Sequence, residues 1–143
     1  MIIYLGADHR GFNLKEHLKR YLASKGWQAV DLGNAVYDKT DDYPDFAKLV
    51  GERVSREPGS RGILICGSGA GMAIVANKFP GVRAALAISP KHAFMERNDE
   101  DVNILSLTAE FTTPEQAEPI VEMFLKTPFS TEERHRRRVA KIE

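Results

Sequence analysis

At 143 residues and 43% hydrophobic content, the chain has the size of one ordinary domain and enough apolar material for a proper core. Its 20 basic and 20 acidic residues balance to a net charge of zero, so composition implies neither a nucleic-acid partner nor attachment to an anionic membrane surface. A single cysteine excludes an internal disulfide framework, no apolar run approaches the roughly 20 residues that span a bilayer, and no secretory pattern opens the chain, so the expected location is cytoplasmic.

In chain order, residues 2–7 read as a strand, 13–24 as a helix, 27–31 as a strand and 44–56 as a helix. The alternation continues with a buried strand at 63–66 and a helix at 72–77, a strand at 83–87 and a helix at 90–97, then a strand at 103–107 and a helix at 114–126. A charged terminal helix is expected over about 131–143. Five strands separated by helices predict one α/β domain over 1–143, built as a doubly wound parallel sheet with helices on both faces. Ligands of such sheets bind beyond the carboxyl ends of the strands, which places Asp8, His9 and Arg10, the 31–33 turn, Cys66 with its following loop, and Thr108 on one rim.

The most informative stretch delivers the only cysteine, Cys66, into the glycine-rich turn Gly67-Ser68-Gly69-Ala70-Gly71. A buried cysteine is most often a small hydrophobe, yet a thiol beside loop amides and a helix start is also placed to act as a base or nucleophile. The glycines serve either a tight turn or an anion cradle; they lack the lysine and hydroxyl residue of a P-loop and the spacing of a dinucleotide fingerprint, so neither ATP nor NAD is expected. Asp8 and His9 suit hydroxyl binding and proton transfer as well as a plain turn. Tyr43 precedes Pro44 at a helix start. Arg134 and Arg138 stand one helical turn apart, either as part of a solvated face or as two forks for one phosphate; the second role requires a neighbouring subunit, hence a dimer.

Together these landmarks resemble the type B ribose-5-phosphate isomerase family, which includes galactose-6-phosphate isomerase subunits. The likeness runs through Gly6-Ala7-Asp8-His9, Gly11-Phe12, Leu14-Lys15, Asp42-Tyr43-Pro44-Asp45-Phe46, the Gly62 to Met72 run, Ala76-Asn77-Lys78, Gly81-Val82-Arg83-Ala84 and Arg134-His135. The resemblance implies a Rossmann-like three-layer sandwich with a five-stranded parallel sheet, working as a homodimer or tetramer on a sugar phosphate without metal or cofactor. It implies an aldose–ketose isomerase that interconverts D-ribose 5-phosphate and D-ribulose 5-phosphate through an enediolate. Cys66 would shuttle the proton, and Ser68 with the amides of Gly67, Gly69 and Gly71 would receive the oxyanion. Asp8 and His9 would hold substrate hydroxyls or the phosphate end, Tyr43 would line the pocket, and Arg134 and Arg138 would bind phosphate from the opposite subunit.

Two positions depart from that pattern. Asp99-Glu100 stands where the family has a His-Asn pair whose histidine opens the furanose ring, and Glu110 stands where it places a phosphate-binding arginine. Asp99 or His9 would then open the ring, and Arg10, Lys91 or His92 would compensate for Glu110 unless its loop points away. The alternatives are an isomerase of altered specificity, for example toward a tetrose 4-phosphate that cannot close a furanose, and a noncatalytic sugar-phosphate-binding module.

Overall fold

A computed structural model describes residues 1–142. The elements are β1 (Ile2–Ala7), α1 (Phe12–Ser24), β2 (Gln28–Asp31), α2 (Tyr43–Arg56), β3 (Arg61–Cys66), α3 (Ala70–Ala76), β4 (Ala84–Leu86), α4 (Pro90–Glu100), β5 (Ile104–Thr108), α5 (Pro114–Lys126) and α6 (Glu133–Val139). All neighbouring strands pair in parallel, in the order β2-β1-β3-β5-β4, so the expected doubly wound sheet is present. The direction of winding reverses between β1 and β3, which creates the switch-point crevice where such sheets bind ligands.

Strand alternation assigns the layers. Ile3, Leu5, Ile63, Ile65, Leu105 and Leu107 pack with Leu14, Leu18, Ala93, Ile120 and Phe124 of α1, α4 and α5. Tyr4, Leu64, Cys66 and Ile104 point the other way and pack with Phe46, Val50, Met72 and Ala76 of α2 and α3. Helices that begin at the rim are started by local chemistry. Ser89 accepts a hydrogen bond from the His92 amide at α4, and Thr113 and Gln116 form a reciprocal capping box at α5.

Two elements are shorter than expected by more than one residue. β4 begins only at Ala84, because the Arg83 amide donates to the Asn103 side chain instead of a strand ladder. The terminal helix covers Glu133–Val139: Glu132 is still extended, and past Val139 the chain closes in single turns through Lys141 and Ile142. Glu143, the last residue of the expected helix, lies outside the described residues.

Lys15 is fully buried and ties β2 to α1 and to the loop after β2 by donating to Asp31 Oδ2 at 2.7 Å and to the Asn34 carbonyl at 2.6 Å. Burial by itself would raise the pKa of Asp31, but hydrogen bonds from Lys15, Lys19 and the Gly33 amide outweigh it and hold the carboxyl below its usual range.

An apolar cavity of about 750 Å³ runs along the outer edge of β4, lined by Phe79, Val82, Ala85, Val102 and Ile142 with Glu96 among them. Glu96 Oε1 lies 3.2 Å from His92 Nε2, while its Oε2 is buried without a hydrogen-bond partner. Burial pushes this carboxyl from 4.5 to about 7. Folded Glu96 therefore keeps a proton that the unfolded chain releases, and stability declines as pH rises from about 4.5 through 7. Glu96→Gln should remove this dependence. Urea unfolding is expected to show the variant gaining on the parent, by on the order of 3 kcal/mol, between pH 4.5 and 8.

Candidate active site

The β1–α1 loop is drawn onto β3. The Asp8 amide donates to the Ile65 carbonyl at 3.3 Å, and a Cβ on Gly11 would stand 2.4 Å from that same oxygen, so only glycine fits there. Asp8 itself is buried, its Oδ1 accepting from the amides of Arg10 and Gly11 at 3.0 Å each. Ala7 pairs with Ile65, the residue before Cys66, so Asp8 enters its loop next to the end of β3. His9 is held from outside its own loop: its amide and its Nδ1 both meet Asp41 Oδ1, at 2.9 and 2.8 Å, and its ring edge meets Tyr37.

Cys66 ends β3 with its side chain in the α2/α3 layer and is 5% exposed. The Gly69 amide donates to its Sγ at 3.2 Å. Two hydroxyls of β5 anchor the loop above it: Thr108 donates to the Gly67 carbonyl at 2.7 Å and Ser106 to the Gly69 carbonyl at 2.6 Å. With the Cys66 and Gly67 carbonyls engaged toward β5, the trans peptides turn the amides of Gly67 and Ser68 away from it. Gly69 adopts φ +78°, the left-handed region, and a Cβ there would meet Leu86 at 2.6 Å. Tyr43, from the start of α2, packs its ring against the start of α3, where a Cβ on Gly71 would lie 2.6 Å from Cε2. Ser68 is exposed, and its hydroxyl accepts from the Ala70 amide.

Arg10 lies over this loop, its Cζ within 2.8 Å of where a Gly67 Cβ would be, and Nη2 donates to Glu110 Oε2 at 2.6 Å. The acidic residue at the rim thus arrives with its own cation. Of the other cations considered as compensators, His92 faces Glu96, and Lys91 is exposed on α4.

Asp99, Arg134 and Arg138 do not join this group within one chain. Asp99 closes α4, which leads into the amino end of β5, whereas Cys66 pairs with Thr108 at the carboxyl end. The sheet separates them by on the order of 15 Å. Asp99 Oδ1 accepts from Asn98 and lies 3.7 Å from Nδ1 of the buried His135 on α6. Arg134 donates to Glu132 at 2.6 Å, and Arg138 is exposed. Among the described residues, no group of three or more His, Cys, Asp or Glu could hold a metal ion.

Sequence reading passed over Asp41, the partner of His9. It is one of the adjacent acids Asp41 and Asp42 before Tyr43, and nothing local distinguishes which of them turns back across 32 residues.

Fold and rim define a doubly wound α/β domain whose switch-point crevice combines a buried thiol, a glycine loop and an imidazole–carboxylate pair. The chain belongs to the ribose/galactose isomerase family, whose profile matches residues 3–142. It is 40% identical over 139 residues to the ribose-5-phosphate isomerase B of Mycobacterium tuberculosis, covering 97% of this chain and 86% of that one. Among solved structures, ribose-5-phosphate isomerase B of Mycoplasma genitalium, with bound ribulose-5-phosphate, superposes with a TM-score of 0.94 at 42% identity, covering 99% of this chain and 93% of that one. The type B enzyme of Trypanosoma brucei gives a TM-score of 0.93 at 41% identity, over 99% and 95% of the two chains. Among the described residues, no helix is long and apolar enough to cross a membrane.

Glu110→Gln should free the Arg10 guanidinium and tighten binding of an anion at the rim, with inorganic phosphate as the probe, by roughly two- to fivefold, since an exposed ion pair is worth about 1 kcal/mol or less. Arg10→Ala should weaken it. Calorimetric titration of both variants checks this, and unchanged affinity in both would place the pair beyond the anion's reach.

Proposed function

We propose that this protein is an aldose–ketose isomerase that interconverts D-ribose 5-phosphate and D-ribulose 5-phosphate through an enediolate. The observation that carries the reading is the Cys66 thiol, buried at the switch point beneath the glycine loop and aimed by the Gly69 amide. As a thiolate it takes the proton from C2 of the open-chain aldose, and the electron pair moves through the new C1–C2 double bond onto O1. The amides of Gly67 and Ser68 and the Ser68 hydroxyl support that charge, each good donor contributing about 3 kcal/mol. The proton on O2 passes to O1, the thiol returns its proton to C1, and the carbonyl forms at C2. Asp8 and His9 hold sugar hydroxyls, Tyr43 walls the pocket, and the cofactor requirement is none.

Asp99, Arg134 and Arg138 act from a second copy of the chain. Their support is placement: they share the α4–α6 end of the domain, remote from their own Cys66, and a partner can present them where a phosphate extends from the crevice. The domain therefore works as a homodimer or a pair of dimers, with α6 as the reaching arm. The substrate chemistry places the protein in pentose phosphate metabolism, and the single free cysteine suits the cytoplasm. Asp99 also favours a second reading, a tetrose 4-phosphate isomerase, because a substrate unable to form a furanose needs no histidine at that position.

Purified protein should form ketose from D-ribose 5-phosphate, and Cys66→Ala should lower turnover by at least about 10²-fold while leaving ligand binding nearly unchanged. Cysteine-independent turnover would remove this mechanism. Turnover of D-erythrose 4-phosphate alone would establish the tetrose reading, and binding without turnover of either sugar would establish a noncatalytic module.

A further inference from the structure

Asp41 is bound on both oxygens. Oδ1 accepts from the His9 amide and from His9 Nδ1, and Oδ2 accepts from Asn34 Nδ2 at 2.9 Å. Its side chain is 7% exposed, while that of His9 is 29% exposed. A carboxylate has only acceptors to offer, so the hydrogen-bond network puts the proton of neutral His9 on Nδ1 and leaves the Nε2 lone pair for the rim. Asp8 Oδ1 is taken by two amides and Glu110 by Arg10, while Asp99, remote from the rim of its own chain, competes for this step only when a partner chain presents it, which the Asp99→Asn arm of the test reads.

We propose that His9 is the catalytic residue that opens the sugar ring and that Asp41 is its positioning residue. This rests on the isomerase reading above and assigns one step within it. In the cyclic sugar, O1 and the ring oxygen O4 are bonded to the same carbon, so one nitrogen reaches both. Nε2 takes the proton from the O1 hydroxyl, the C1=O1 bond forms as C1–O4 breaks, and the imidazolium returns that proton to O4. No proton is gained or lost overall, and Asp41 lies against the imidazolium while it exists. A merely structural Asp41, stapling the loop after β2 onto the loop after β1, would on removal lower turnover and C1 exchange together, whereas a positioning Asp41 lowers turnover selectively.

The test separates ring opening from enediolate chemistry. D-ribulose 5-phosphate is acyclic, because its 5-oxygen carries the phosphate, so deuterium exchange from solvent at its C1 needs Cys66 and no ring opening. His9→Gln should lower kcat for D-ribose 5-phosphate on the order of 10²-fold and Asp41→Asn roughly tenfold, with saturating C1 exchange of D-ribulose 5-phosphate lowered at least about tenfold less than kcat in His9→Gln and by less than about threefold in Asp41→Asn. Nitrogen-15 NMR of the parent should show His9 protonated on Nδ1, and Asp41→Asn should shift it to a mixture of tautomers. Equal losses of turnover and exchange, a parent His9 protonated on Nε2, or a selective loss in Asp99→Asn with none in His9→Gln would each overturn the proposal. A parent that neither isomerises nor exchanges would defeat the isomerase reading and the ring-opening step with it; the imidazole spectrum would still report separately on whether Asp41 sets the tautomer.

Discussion

The contact between the Gly11 backbone and the Ile65 carbonyl is the constraint on which the site depends. With a side chain at position 11, the start of α1 could not lie against β3, and the Asp8 amide would lose its approach to the same oxygen. That approach brings the loop after β1 level with the loop after β3, so that carboxylate, imidazole and thiol converge where the strand order reverses. Burial of Lys15 against Asp31 and Asn34 braces the neighbouring loop, from which Asp41 reaches His9.

The glycine loop is held from behind. Ser106 and Thr108, on the side of β5 that also bears Ile104, use their hydroxyls to take up the loop's carbonyls, and the opposing amides are thereby aimed away from β5. These donors are buried and their partners already chosen, so the loop's amides keep their direction without having to reorganise. Arg10 and Glu110 then span the crevice over Gly67, which turns an apparent reversal of charge at the rim into a neutral pair.

Much of this was legible in the chain. The five strands, their alternation with helices and the rim occupied by Asp8, His9 and Cys66 follow from apolar periodicity and from glycines at the strand ends. The layer into which Cys66 points was not, because a buried parallel strand is apolar on both faces and its pattern does not tell them apart. Asp99 next to Asn98 gives no sign of standing closer to His135 on α6 than to the residues of the rim. Arg10 illustrates the same limit: its partner lies 100 residues away, on a different loop.

Local period and residues adjacent in the chain are enough to give the class of sheet, the loops gathered at its carboxyl rim and the family. Tertiary structure alone decided which side chains share a crevice. His9 with Asp41, Arg10 with Glu110, and the parting of Asp99, Arg134 and Arg138 from Cys66 all follow from how loops distant in sequence close on either end of one sheet. Pairings of that kind are set by packing and by strand order, and neither is written in the neighbours of any single residue.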